Sequence, residues 1–218
     1  MPYRETPQTR ARLDEVRERI VEAATTQVAE AGYSSASVTA VAKRARVATG
    51  SVYRHFPSKA DLFAEVFRRA SQRELDVVMD VTGDASLPPT ERVAAAAEAF
   101  ARRALASPTM AYALLAEPVD PAVEKERLSF RRGYRDAFAR ALEDGIASGE
   151  FRQHDTDVAA AAIVGALGEA LVGPLHGRGN GNGNDALVAN LIQFCLNAIS
   201  EGEATKEENA DVGARSHA

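Results

Sequence analysis

Apolar residues recur along this chain at every third or fourth position, with no stretch of strict alternation. Leu13, Val16, Ile20, Ala24, Val28 and Ala31 trace one helical stripe, and Gly32 follows where a helix closes, with Tyr33 placed for the usual apolar contact. A short segment then starts at Ser37, whose hydroxyl can take an orphan backbone N–H, and Val38, Val41, Ala42 and Ala45 share its apolar face. Arg46, Val47 and Ala48 leave room only for a corner, after which Thr49 to His55 predicts a second short helix carrying Val52 and Phe56 inward. Two short helices around a corner make a helix-turn-helix. Ser58 and Asp61 are spaced as a capping box and Pro57 can lean on Leu62, so a longer helix starts there and runs through Leu62, Val66, Arg69, Arg73, Val77 and Met79 toward Gly83.

Beyond the break at Ser86 to Thr90, the pattern predicts a helix over Glu91 to Ala106 with Val93, Ala97, Phe100 and Leu105 on its buried side. A short apolar helix spans Met110 to Ala116, and Pro121 opens a long one reaching about Ser148. On that long helix Phe130, Tyr134, Phe138 and Ala141 share one face while Leu128, Leu142 and Ile146 lie on another, which predicts a central position. Asp155 or Asp157 caps the next helix, with Val158, Ile163, Val164, Leu167 and Leu171 among alanines and glycines. Gly177 to Asn184 is a loop, and a last helix runs from Asp185 to Ser200. The expected class is all-α: a head over residues 12–74 and a body over 75–201, with 1–11 and 202–218 disordered.

Composition changes the picture in one respect. The 218 residues carry a net charge of −5, but the sequence through Glu74 holds 13 Lys and Arg against 9 Asp and Glu, +4, while the remainder holds 13 against 22, −9. The excess of positive charge coincides with the helix-turn-helix, the asymmetry that a DNA-binding head on an acidic body would show. The single cysteine, Cys195, excludes an intrachain disulfide, and the N-terminus has no apolar signal segment, so a cytoplasmic protein is expected. Val158 to Leu175 imitates a membrane span, yet its small residues and Glu169 read as a buried packing helix, and no membrane association is expected.

The candidate DNA-facing groups are Ser37, Thr39, Arg46, Thr49, Gly50, Ser51, Tyr53, Arg54, His55 and Lys59. Hydroxyls and amines reach phosphate oxygens, and small residues such as Gly50 let a helix approach base edges in the major groove. Gly32-Tyr33, Val41-Ala42, the G-S-V-Y-R-H-F run at Gly50 to Phe56 and the S-K-x-x-L that follows resemble the N-terminal domain of the TetR family of bacterial regulators. Two positions depart from that pattern. Arg46 stands where the family usually has Gly, at roughly 1–2 kcal/mol if φ is positive there, and Ala48 replaces a Ser or Thr cap, leaving Thr49 to take that role.

The resemblance implies a homodimer on a pseudopalindromic double-stranded operator, repression, and release by a small molecule held in the body. Phe100, Met110, Tyr112, Phe130, Tyr134 and Phe138 either line an apolar cavity for an apolar or amphipathic ligand or are simply core. Ile163, Leu167 and Leu171, with Leu187, Leu191 and Phe194, form stripes on the last two long helices that suit a two-fold four-helix contact. Arg127, Arg131 and Arg135 read as a solvated face laced with ion pairs. His55, His154, His176 and His217 show no metal-ligand spacing, no catalytic motif occurs, the glycine-rich loop lacks a phosphate-binding context, and no cofactor is expected. Two rival readings remain, an all-α small-molecule carrier or enzyme without DNA binding and a nonspecific chromosomal protein. The first lacks any catalytic spacing, and an acidic chain does not favour the second.

Overall fold

The helical spacing is realised in a computed structural model that describes residues 7–176 and 183–200. Among these residues there are nine helices and no strand: α1 (Pro7–Ser35), α2 (Val38–Ala45), α3 (Thr49–His55), α4 (Lys59–Thr82), α5 (Pro89–Ala106), α6 (Pro108–Leu115), α7 (Pro121–Ser148), α8 (Thr156–His176) and α9 (Asn184–Ile199). Helix α1 begins at Pro7, where a missing N–H costs nothing, so residues 7–11 are helical rather than disordered. Residues 1–6 and 202–218 and most of the glycine-rich loop lie outside the described residues. Gly32 interrupts α1 with φ 81 and ψ 172, a region essentially reserved for glycine.

Two compact units emerge. The head unit holds the described residues through Arg73 together with Ala104–Phe130 and residues 175 and 176, and the body unit holds Glu74–Arg103, Arg131–Pro174 and the described C-terminal residues. In the head, Ile20, Val28, Val41, Val52, Leu62, Phe63, Val66 and Phe67 form a core that also takes in Met110 and Ala113 of α6 and Val123 of α7. Helix α6 packs against α1. Sequence periodicity places α6 after the head has ended; in space it is part of the head's core.

Arg127 lies at the foot of this arrangement. Its guanidinium donates to the carbonyls of Leu114 and Ala113 at 3.0 Å and of Glu117 at 2.6 Å, and pairs with Glu124 at 2.6 Å. It therefore satisfies the orphan carbonyls at the end of α6 and is nearly buried, not part of a solvated face.

In the body, Val93, Ala97 and Ala101 of α5 are fully buried, as are Ala137, Phe138, Ala141 and Leu142 of α7. Leu75 and Val78 are buried and Met79 is 40% exposed, because a 3.6-residue period carries the α4 stripe from Leu75 through Val78 to the buried Thr82. Leu128, expected on a second buried face of α7, is likewise exposed. The last carbonyl of α4 is met by buried Arg92, which donates to Thr82 O at 2.7 Å and pairs with Asp144 at 2.7 Å. At Gly145 a Cβ would come within 2.0 Å of the buried Phe151 ring, so the turn after α7 folds back onto glycine backbone. Helix α8 is long and apolar enough to cross a membrane, with mean hydropathy 1.8 over an 18-residue window, and its stripe of Ala160, Ile163, Leu167 and Leu171 is buried within the protein.

Candidate nucleic-acid interface

Ser37 caps α2 from an extended backbone, φ −133 and ψ 144, its Oγ accepting the Ala40 N–H at 3.3 Å. Val38, Val41, Ala42 and Ala45 are buried beneath it, leaving Thr39 and Lys43 exposed. The helix closes at Arg46, whose φ of 56 and ψ of 46 are left-handed, the only positive φ outside glycine among the described residues. The Arg46 N–H reaches Lys43 O at 3.2 Å and the Val47 N–H reaches Ala42 O at 3.0 Å, the paired bonds of a Schellman close. The corner expected from the sequence is therefore present, with an arginine in the strained position.

Helix α3 starts from Ala48, which has no side chain to cap with, and the Ser51 N–H bonds its carbonyl at 2.8 Å. Thr49 is the first helical residue and not the cap, because the extended backbone that a cap needs falls at Ala48, φ −70 and ψ 146. Val52 and Phe56 are buried, while Gly50, Arg54 and Tyr53, 47% exposed, face outward and Thr49, Ser51 and His55 are half-buried. Nothing lies within 4 Å of a Cβ placed on Gly50, so its small size serves no contact inside the protein and leaves the outer face low. Among the described residues Arg46 and Arg54 form no ion pair, which leaves both guanidiniums available.

The two ends of this surface are held by charge. Arg44 pairs with Glu30 through bonds of 3.0 and 2.5 Å. Arg17 stands over the Phe56 ring, 4.9 Å from its centroid, and pairs with Glu65 at 3.2 Å, while Glu65 also pairs with Arg68 and Arg69 at 2.7 Å and Arg69 bonds Glu18. Burial pushes the Glu65 carboxyl up, but the bonds from Arg68, Arg69 and Arg17 win and bring it to about 2. His55 is held below its ordinary value by burial and by the positive charges of Arg17 and Arg54, so it acts at neutral pH as a neutral hydrogen-bonding group.

Lys59 begins α4 behind the capping box, in which the Ser58 hydroxyl accepts the Asp61 N–H at 3.1 Å and donates to the Asp61 carboxylate at 2.7 Å. Its ammonium lies over the Tyr33 ring at 5.1 Å and the Phe63 ring at 5.6 Å. This cation–π seat and the charge network between α1 and α4 are the parts of the interface that sequence reasoning missed. The i,i+3 and i,i+4 spacing of Glu65, Arg68 and Arg69 carried a signal, but the α1 partners did not.

The aromatic candidates are divided between the two units. Phe100 packs edge-on to Tyr134, centroids 5.4 Å apart, beside the Glu74–Arg103 pair, and Phe138 is fully buried, all in the body unit. Burial, and then the Glu74 charge, push the Tyr134 phenol upward. Met110 belongs to the head core, Phe130 to the head unit, and the Tyr112 ring lies tilted at 45° to His176, centroids 4.9 Å apart. Of the six candidate contact residues on α8 and α9, Ile163, Leu167, Leu171 and Leu191 are buried in the protein's own body, Leu187 is half-buried, and Phe194 is 59% exposed. The exposed positions lie a few residues round each helix and are mixed: Val158, Ala162, Gly165 and Gly173 flank Glu169 on α8, and Ala186, Phe194 and Ala198 stand among Asn190, Gln193 and Asn197 on α9.

Comparison with known proteins agrees with this geometry. Residues 20–66 match the family model of bacterial regulatory proteins of the tetR family, and residues 86–170 match that of the tetracyclin repressor-like C-terminal domain. The HTH-type transcriptional repressor KstR of Mycolicibacterium smegmatis is 32% identical over 135 residues, 60% of this chain and 65% of that relative. The chain thus spans just under two thirds of that relative's length. The uncharacterized HTH-type transcriptional regulator YhgD of Bacillus subtilis is 30% identical over 147 residues, 66% of this chain and 76% of the relative. Among solved structures, the fatty acid degradation regulator FadR of Bacillus halodurans superposes with a TM-score of 0.72 at 24% identity, covering 89% of this chain and 97% of that one. FadR of Bacillus subtilis in complex with stearoyl-CoA gives 0.72 at 21% identity, covering 84% and 98%. The chain belongs to the TetR family of bacterial regulatory proteins.

Proposed function

We propose that the protein is a sequence-specific DNA-binding transcriptional regulator of the cytoplasm, not an enzyme, and that it represses until a small molecule in its body releases it from its operator. The observation that carries this reading is the outer face of α3. Gly50, Tyr53 and Arg54 stand exposed beside unpaired Arg46, over a buried anchor of Val52 and Phe56, on a chain whose net charge is otherwise negative. In this reading residues 12–74 carry DNA binding, and 75–201 carry the ligand and the dimer contact. The exposure of Val158 and Phe194 beside small residues on α8 and α9 supports a homodimer, whose two heads would occupy successive major grooves of a pseudopalindrome, about 34 Å apart. Phe100, Tyr134 and Phe138 supply apolar walls in the body, and the stearoyl-CoA complex of the similar FadR supports an amphipathic ligand of the acyl thioester type.

Selection of duplexes from a random pool by the full chain tests the DNA half. A recovered pseudopalindrome supports it, whereas binding with no sequence preference, or none, returns the carrier or nonspecific readings. Long-chain acyl-CoA titrated into the complex tests the other half. It should lower duplex affinity by roughly 5–150-fold, and by linkage saturating duplex must weaken acyl-CoA by the same factor. An acyl-CoA affinity that duplex leaves unchanged separates the sites and removes the ligand half alone.

A further inference from the structure

Resting on the DNA-binding reading, we infer that Glu117, in the corner between α6 and α7, is a positioning residue for the DNA-facing surface, acting through Tyr33 on both the start of α2 and Lys59. Glu117 is 8% exposed, and its carboxylate is spent entirely on the corner between α1 and α2. Oε2 accepts the Tyr33 N–H at 2.8 Å, and Oε1 accepts the Ser34 N–H at 2.9 Å and the Ser34 hydroxyl at 2.6 Å. Both oxygens lie 3.2 Å from where a Cβ on Gly32 would stand, so the positive φ there opens the seat that the carboxylate fills. Charge-assisted bonds of this kind are shorter and stronger than neutral ones, and they fix the backbone at which the chain leaves α1.

Two routes lead from that point to the candidate DNA contacts. Along the chain, the Ala36 N–H bonds Tyr33 O at 3.1 Å, Ser37 caps α2, and exposed Thr39 follows in its first turn. Through space, the Tyr33 ring meets Phe63 and Phe67 edge-on at 5.4 and 5.8 Å, and its face carries the Lys59 ammonium. The other end of Tyr33 is tied to the same corner, its hydroxyl donating to the Asp120 carboxylate. The corner is itself anchored by Arg127, which donates to Glu117 O at 2.6 Å. Tyr33 is thus gripped at its N–H and at its hydroxyl by a segment more than eighty residues away in sequence, with separations of 84 and 87. Release of Glu117 frees the backbone that sets the cap of α2 and tilts the ring under Lys59, so phosphate contacts that depend on tenths of an ångström are lost together.

The test uses the full chain and a duplex selected by the wild-type protein, with affinity measured across a salt series. Glu117→Ala is expected to lower affinity about tenfold and to lower the salt slope by roughly 1, because the Lys59 contact goes with it, and Lys59→Ala added to it should change the slope no further. Ser34→Ala, which removes only an exposed hydroxyl from the seat, should move both quantities in the same direction by less, and Ser34→Thr, which keeps the hydroxyl, should retain the wild-type slope. A variant that merely folds less well lowers the active fraction and leaves the slope alone. An unchanged slope in Glu117→Ala, or, should that variant not fold, in Ser34→Ala, overturns the inference. Failure of the wild-type protein to select any duplex is a different result and removes the DNA reading itself.

Discussion

Head and body of this molecule solve the same packing problem to different degrees of completion. In the head, α1 to α4 and α6 bury Ile20, Val41, Phe63, Phe67 and Met110 in one core, and the surface beyond is charged and cross-tied by Arg17, Glu18, Glu65 and Arg69. In the body, α8 buries Ile163, Leu167 and Leu171 but leaves Val158, 65% exposed, and the open faces of Gly165 and Gly173 uncovered, while α9 leaves Phe194 exposed. A helix that is apolar on two sides needs two partners. The head's core is closed by its own chain, whereas the body leaves Val158, Phe194 and small residues exposed among Glu169, Asn190 and Gln193, a surface for which a second copy is the proposed cover.

The largest effect should come from the face that is already covered. Leu167→Ala removes a fully buried side chain and should cost about 2–5 kcal/mol in denaturant unfolding. Phe194→Asp, on the uncovered face, should leave helicity by circular dichroism intact while sedimentation shows monomers at micromolar concentration and specific DNA binding is lost. A Phe194→Asp protein that sediments as the wild type does would break the comparison at its weaker side.

The head's charge ties give a pH dependence of definite sign. The folded Glu65 carboxyl lies near 2, below its unfolded value, so its contribution is present above the unfolded value and is lost as pH falls toward 2. Acid unfolding followed at Tyr33 and its ring partners should shift to higher pH in Glu65→Gln, while body signals should move less. A head transition that ignores this substitution assigns the acid lability elsewhere.

Much of this architecture was legible beforehand. Gly32, Ser37, the corner at Arg46, the capping box at Ser58 and the inward pair Val52 and Phe56 all follow from spacing and backbone chemistry, which are local. What escaped was every feature that depends on a partner distant in sequence. Arg127 looked like one more charge on a solvated stripe, and only the folded chain brings the end of α6 to it. Thr49 looked like a cap because caps are hydroxyls, but where the extended backbone falls is decided by the Schellman close before it. On α8 the stripe of Ile163, Leu167 and Leu171 suits a contact face as well as a core, and the folded chain buries it.

Smaller effects sharpen the account of the DNA-reading surface. If Lys59 meets phosphate, Lys59→Ala should weaken binding to all duplexes alike and lower the salt slope by roughly 1, while Ser51→Ala should relax preference at particular bases. Arg46→Gly relieves a left-handed residue and should raise unfolding free energy by about 1 kcal/mol. If that gain comes with weaker DNA binding, the strain at Arg46 is kept for a contact. If affinity is unchanged, Arg46 has no part in the interface.

The central claim, that α3 and its flanks read DNA sequence, is tested most directly by one ratio. The full chain's affinity for its selected pseudopalindrome should be divided by its affinity for a shuffled duplex of equal length and composition, both at physiological salt. The account predicts a ratio on the order of 10³ or more, as specific readers show. A ratio near one would contradict it.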